Sequence, residues 1–455
     1  MSRQNCPTSR SLQTSELPNR NHWGAVALVA SATFVVVAAE MMPVGLLTPI
    51  GATLAENEGT IGLSLTITGL VAAASAPFIP AVTSRIDRRS TLIVLMLLVA
   101  TANALTALAT SFTVLAVARV LLGLSMGGVW ALAASMGPRL VRGSSVGIAT
   151  TVIFSGIAVA SVVGVPAGTY IGDRAGWSAA FWTLAAAATV IALAMPLVVP
   201  NMPSEGVLQL GSLAAALRSP GVRSGLALTA FLVTAHFAAY TYIRPALESF
   251  TDISASLIGA LLLIYGILGV VGNFTAGPIA VKAPSKVAAV ISLGIAATLA
   301  AFPVVATTAT AAALLMAAWG LFYGGVSVRT QTWVAQSTPH REAVSALWVG
   351  IFNASIAFGA FGGGQVYDRA GPSLVFWIAA GTASIALLFA IAGNPSNPRK
   401  QAGRRVGGRV TRAERHHRTG TRTIHRPGGA AAFVVGERPG SGTALAPPRR
   451  RIRRI

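Results

Sequence analysis

The sequence predicts an all-α membrane protein with twelve transmembrane helices in two pseudo-symmetric six-helix bundles. Three observations carry that expectation: the composition, the spacing of the apolar runs, and an internal repeat. Of 455 residues, 53% are apolar and 10% charged, whereas a soluble domain carries about a quarter charged residues. The mean hydropathy is +0.67. About 241 apolar residues suffice for about twelve spans of about 20 residues each.

The spans follow in order. The first 22 residues are polar and include Arg3, Arg10 and Arg20. The run from Gly24 to about Thr48 is too long for a signal-peptide core and has no evident cleavage site, so it reads as an uncleaved span. Further apolar runs lie near 61–80, 91–110, 112–133, 146–170 and 178–199. After a polar stretch come six more, near 222–243, 257–280, 286–305, 308–328, 343–366 and 372–392. Runs of this length in lipid are expected to be helices, because each backbone polar group needs an internal partner. The expected organisation is an N-terminal segment (1–23), a first bundle (24–199), a linker (200–220), a second bundle (221–392) and a basic tail (393–455).

Charge orients these spans. With the N-terminus in the cytoplasm, the inner loops receive eleven basic residues: Arg85, Arg88, Arg89, Arg139, Arg142, Arg218, Arg223, Lys282, Lys286, Arg329 and Arg341. The outer loops receive three, Arg174, Arg244 and Arg369. This positive-inside bias places both termini in the cytoplasm of a multi-pass cell-membrane protein.

The repeat joins the halves. Gly168–Trp182 (GTYIGDRAGWSAAFW) and Gly363–Trp377 (GGQVYDRAGPSLVFW) match at eight of fifteen positions with an offset of 195 residues. Coincidence between Gly/Ala-rich helices is the alternative. Two repeated halves explain the matched topology better, and they are the build of a transporter whose halves rock about a central site.

Several motifs then resemble a known family. They are Ala39-Glu-Met-Met-Pro-Val-Gly-Leu-Leu in span one, Ala118-Arg-Val-Leu-Leu-Gly123 in span four, and Gly164-Val-Pro-Ala-Gly168-Thr-Tyr-Ile-Gly-Asp in span five. His236-Phe-Ala-Ala-Tyr-Thr-Tyr-Ile-Arg-Pro245 and Phe352-Asn353 add to them in the second half. The chain resembles the major facilitator superfamily over about residues 24–392, and within it the twelve-span drug/proton antiporter branch, sugar-efflux-like proteins in particular. The resemblance implies a secondary transporter, not an enzyme. The loop after span two departs from the family pattern. It reads Pro80-Ala-Val-Thr-Ser84-Arg85-Ile-Asp87-Arg88-Arg89, keeping the basic residues but replacing the family's acid with Ser84. Asp87 is the acid left to substitute in its conformational role.

Glu40 is the only acid well inside a span. A carboxylate in hydrocarbon costs at least ~2.5 kcal/mol on insertion scales, so it is neutral or paired there. A group that alternates between protonated and charged states suits a proton-coupled carrier. Glu40 is expected about eight residues below the outer end of span one. Arg119 and His236 are expected at the same depth on spans four and seven. A structural Glu40–Arg119 pair and a polar binding or gating role are the alternatives for Glu40, and helix packing is the alternative for His236. The resemblance implies that Arg119, which stays charged, tunes Glu40.

Gly156, Ala160, Gly164, Gly168 and Gly172 form a small-residue face on span five, suited to close helix approach. Pro166 is expected to kink that helix. By resemblance the face lies between the halves. Candidate substrate-lining residues are Trp130, Tyr240 and Asn353, with Asn273 nearer the cytoplasm, although core packing also accounts for the aromatics.

The net charge is +21, and residues 393–455 hold +14 of it through sixteen basic and two acidic residues. That tail is expected to be disordered. Contact with anionic lipid, nucleic-acid binding and a frame-shifted extension are its three readings, and no folded nucleic-acid reader surrounds it. The single Cys6 excludes an internal disulfide framework or multi-cysteine metal site. No Gly-Lys-Ser/Thr tripeptide offers a nucleotide loop, and no cofactor is expected. Protons, a small-molecule substrate and lipid are the expected partners of a monomer. The leading expectation is proton-coupled efflux of sugars or drugs. A metabolite uniporter or importer and a non-transporting membrane sensor are the rivals.

Overall fold

A computed structural model describes residues 21–83, 85–203, 210–251 and 253–392. The expected N-terminal segment (for residues 1–20), part of the linker, and the basic tail lie outside the described residues. The described residues all fall within one compact unit.

The first half comprises α1 (Trp23–Leu54), α2 (Glu58–Val82), α3 (Arg88–Ala107), α4 (Phe112–Leu140), α5 (Val146–Val159), α6 (Val165–Ala175) and α7 (Trp177–Val198). A π-helical turn, Ala160–Gly164, joins α5 to α6 in one span. A short helix, α8 (Leu210–Leu217), lies within the expected linker. The second half comprises α9 (Pro220–Tyr240), α10 (Ile243–Phe250), α11 (Ala255–Lys282), α12 (Pro284–Val305), α13 (Ala309–Gly324), α14 (Val326–Gln336) and α15 (Arg341–Ala392). Eleven helical segments among the described residues are long and apolar enough to cross a membrane. The last turns sharply at Gly371 and counts as two, which makes twelve spans.

Lipid explains the surface. Apolar side chains such as Val94, Val117, Val190, Leu197, Leu314 and Phe358 stand exposed around the bundle. The buried hydroxyls mostly return to their own helix: Thr106 donates to Ala102 O at 2.9 Å and Thr330 to Val326 O at 2.9 Å. Such bonds to the preceding turn satisfy a polar group where water is excluded.

The face carrying Trp23 is termed here the terminal face, and the one at which α1 ends the distal face. His22 N–H donates to Leu140 O at the terminal face, so α4 returns there. Within the first half α1 packs on α4, α5 and α7; across the halves α2 packs on α15, and α11 on the α5–α6 span.

Prolines explain where the spans differ from the sequence expectation. A proline has no N–H for the carbonyl four residues earlier, and its ring crowds that carbonyl. Pro245 stands in this relation to Thr241, and span seven breaks at Thr241–Tyr242 before continuing as α10. Arg244 was expected in an outer loop; it is instead inside α10 and 5% exposed. Pro166 stands in the same relation to Val162, within the π-helical turn that widens span five. The first span runs on to Leu54, beyond the expected Thr48. Glu40 therefore sits near the middle of α1, about 14 residues (~21 Å of helix) from the distal end. Arg329, expected in an inner loop, is buried in α14.

The repeat is visible in the backbone. Gly176 and Gly371 are related by the 195-residue offset and are the positive-φ glycines among the described residues, at 84° and 74°. Each turns the chain between two adjacent spans. A Cβ at either position meets no neighbour within 4 Å, so the cost of a side chain there is purely conformational. Gly176→Ala and Gly371→Ala are each expected to lower unfolding stability in detergent by about 1–2 kcal/mol, measured by chemical denaturation, with no change in oligomeric state.

Candidate functional site

The centre of the molecule is organised by α1, which carries prolines at 43 and 49. Pro43 leaves Ala39 O without its helical donor. In a water-free interior such a carbonyl needs another, and Arg119 Nη1 supplies it at 3.0 Å. The guanidinium of Arg119 also lies 5.1 Å from the centre of the Phe181 ring on α7, a favourable cation–π distance. Arg119 is thus level with Glu40, as the sequence predicts, but it holds the neighbouring carbonyl instead of the carboxylate. Among the described residues no ion pair joins the two. Glu40 is 4% exposed, and its Oε1 is buried without a hydrogen-bond partner.

His236 lies on α9 and is fully enclosed by rings from three helices. Tyr323 stacks on it with ring centres 3.4 Å apart, Tyr240 at 4.7 Å and Tyr265 at 6.0 Å. Trp319 meets it edge-on at 5.4 Å. One imidazole nitrogen, Nε2, is 3.4 Å from the Tyr265 hydroxyl, while Nδ1 has no partner. The Tyr323 hydroxyl is also unpartnered.

The candidate lining residues lie on several spans. Trp130 on α4 stacks against Phe154 with ring centres 6.1 Å apart, its indole N–H unpartnered. Asn353 on α15 donates through Nδ2 to Val349 O at 2.9 Å and leaves Oδ1 free. Asn273 lies about eight residues (~12 Å) beyond Tyr265 along α11 toward the terminal face and is not part of the cluster. Buried polar atoms without partners are rare in folded chains. Here Glu40, His236, Tyr323, Asn353 and Trp130 contribute such atoms from both halves.

The residues expected to have a conformational role fall elsewhere. Asp87 caps α3, accepting from Arg89 N at 2.8 Å and from Met202 N at 2.6 Å. Arg89 donates to Pro196 O and Val199 O, both at 3.3 Å. Arg88 is buried and Arg85 exposed. This loop therefore ties the terminal end of α3 to the end of α7. On span five, Gly164 faces Ala38, and Gly168 faces Met42, so the small-residue face packs on α1 within its own half. The side of that span meeting the other half is formed at Pro166 and Thr169, opposite Gly259 of α11. This corrects the placement expected from resemblance: the glycines thin the helix against α1 rather than against the opposite half.

Sequence reasoning missed Tyr265, Trp319 and Tyr323, because an aromatic in an apolar helix reads as packing. It also missed Arg244, although the residue stands in the quoted span-seven motif beside Pro245.

The sequence profile of the Major Facilitator Superfamily matches residues 29–346 and again 226–436. The chain belongs to that superfamily, and with this fold it is a multi-pass membrane transporter rather than an enzyme. The second match runs past Ala392 into the segment expected to be a disordered tail. A curated relative, the transcription regulatory protein OpdE of Pseudomonas aeruginosa, is 30% identical over 393 residues, covering 84% of this chain and 97% of that protein. Two crystal structures of a bacterial homologue of the human lysosomal transporter Spinster share the fold. The inward-facing, unoccupied form has a TM-score of 0.61 at 15% identity, covering 82% of this chain and 95% of that one. The inward-facing, occupied form has a TM-score of 0.66 at 16% identity, covering 82% and 97%.

The link between Pro43 and Arg119 is testable by a double-mutant cycle. Arg119→Ala is expected to cost about 1–3 kcal/mol in unfolding stability by leaving Ala39 O without a donor. In Pro43→Ala/Arg119→Ala the restored helical N–H takes up that carbonyl, so the double variant recovers part of the loss. Denaturation in detergent reads the coupling, and strict additivity contradicts it.

Proposed function

We propose that this chain is a proton-coupled antiporter that exports small neutral or amphipathic solutes, sugars or drugs, across the cell membrane as a monomer with both termini in the cytoplasm. The observation that supports this most is Glu40. A carboxylate at mid-helix, deep in the bundle and free of the adjacent arginine, is suited to taking up and losing a proton. Arg119 tunes it from the same level. His236 completes the proton-coupling set from the second half, since an imidazole exchanges protons more readily than the other side chains of the cluster.

Trp130, Tyr240 and Asn353 are proposed to line the solute path, with flat rings for apolar surface and an amide for orientation; Asn273 is proposed to serve nearer the terminal face. Arg85, Asp87, Arg88 and Arg89 are proposed to act in the conformational change at that face, and Gly164, Pro166 and Gly168 to let span five adjust against α1. Alternating access by rocking halves gives the solute and the proton successive exposure to the two sides.

A second reading is favoured by one finding. The OpdE relative bears the name of a transcription regulatory protein, which suits a membrane sensor that carries no solute. A panel of sugars and lipophilic drugs, tested in everted vesicles with and without an imposed pH gradient, separates the two. Gradient-dependent uptake of a panel member that is lost in Glu40→Gln, while that solute still shifts the thermal unfolding of the variant, is the expected outcome. Undiminished gradient-driven transport by Glu40→Gln contradicts the proton role, and no flux of any solute by the wild type favours the sensor.

A further inference from the structure

The repeated Asp-Arg-Ala-Gly segment has no part in the proton chemistry, yet both of its aspartates reach across the molecule. Asp173, at the distal end of span five in the first half, accepts from Nη1 and Nη2 of Arg244 in the second half at 3.3 and 3.2 Å. Its counterpart Asp368, at the distal end of span eleven in the second half, accepts from the N–H of Gly59 in the first half at 2.9 Å. Gly59 lies in the first turn of α2. There the N–H groups have no helical partner and the helix dipole favours an anion. A Cβ on Gly59 would run into the Asp368 carboxylate.

Arg244 does more than meet Asp173. Its Nη1 donates at 2.7 Å to Gly45 O, the carbonyl that Pro49 leaves without a helical donor. Its Nε donates to Glu248 Oε1 at 3.0 Å, and Glu248 Oε2 accepts from Thr48 Oγ1 at 2.7 Å. A buried guanidinium of the second half is thereby held by a carbonyl and a carboxylate of the first. One level deeper, Thr66 Oγ1 donates to Ala357 O at 3.2 Å.

We propose that Asp173 and Asp368 are a pair of latches, related by the internal repeat, that hold the two halves together at the distal face, with Arg244 on the Pro49-freed carbonyl as the hub of the first. The two use different chemistry at equivalent positions. One carboxylate meets a guanidinium and the other a helix N-terminus. Opening the distal face during transport requires both to part. The inference needs only that the halves rock, whichever ion or solute is coupled.

The test is a distance measurement across the distal face. With Cys6 replaced by serine, spin labels are placed at Thr110 and Thr307, exposed positions in distal loops of the first and second halves. Pulsed dipolar spectroscopy in lipid nanodiscs then reads the closed and open populations. Arg244→Gln and Asp368→Ala are each expected to raise the open-to-closed ratio about tenfold, and the double variant further. Pro49→Ala alters no charge but returns an N–H to Gly45 O, and is expected to shift the ratio in the same direction by less. If Arg244→Gln does not fold, as judged by size exclusion and thermal unfolding, then Pro49→Ala and Gly59→Ala carry the test. Unchanged distance distributions in the folded variants overturn the proposal.

Discussion

Two backbone carbonyls on one helix organise this protein. In hydrocarbon a carbonyl without a donor is costly, and α1 has prolines at positions that strip the helical donor from Ala39 and from Gly45. Each carbonyl is met by an arginine from another helix, Arg119 at 3.0 Å and Arg244 at 2.7 Å. The same chemistry has two structural consequences. Arg119 belongs to α4, so its bond ties two helices of one half together. Arg244 belongs to α10, so its bond crosses between the halves.

The first of these contacts shapes the centre. A guanidinium engaged with Ala39 O and the Phe181 ring is not on the Glu40 carboxylate. The acid is left buried with its Oε1 unpartnered, while in the second half Tyr323 stacks on His236. On the proposed antiport reading, Glu40 takes up and loses its proton free of an ion pair with Arg119. The second contact shapes the cycle, because a bond between halves has to be made and broken as they rock.

Much of the architecture was legible from apolar spacing alone, since a bilayer leaves helices as the available solution. The twelve spans, the 195-residue repeat and the shared level of Glu40 and Arg119 were read from the sequence. What escaped it was the action of proline at a distance of four residues. Pro49 gave no sign that its freed carbonyl would be met from the other half. Arg244 was read as a loop cation, because the break imposed by Pro245 resembles the end of a span. The small-residue face of span five was recognised, but not which helix it meets, since a stripe of glycine and alanine fits any close neighbour. The enclosure of His236 by Tyr265, Trp319 and Tyr323 depends on three helices converging, which no local pattern encodes.

On the proposed reading Glu40, unpaired in the middle of α1, exchanges a proton with water during function. Infrared difference spectroscopy of the lipid-reconstituted protein on a pH step reads this without knowledge of the solute. The wild type is expected to show paired carboxyl and carboxylate bands from one titrating side chain, and these bands are expected to vanish in Glu40→Gln. Identical difference spectra for the two proteins would contradict it.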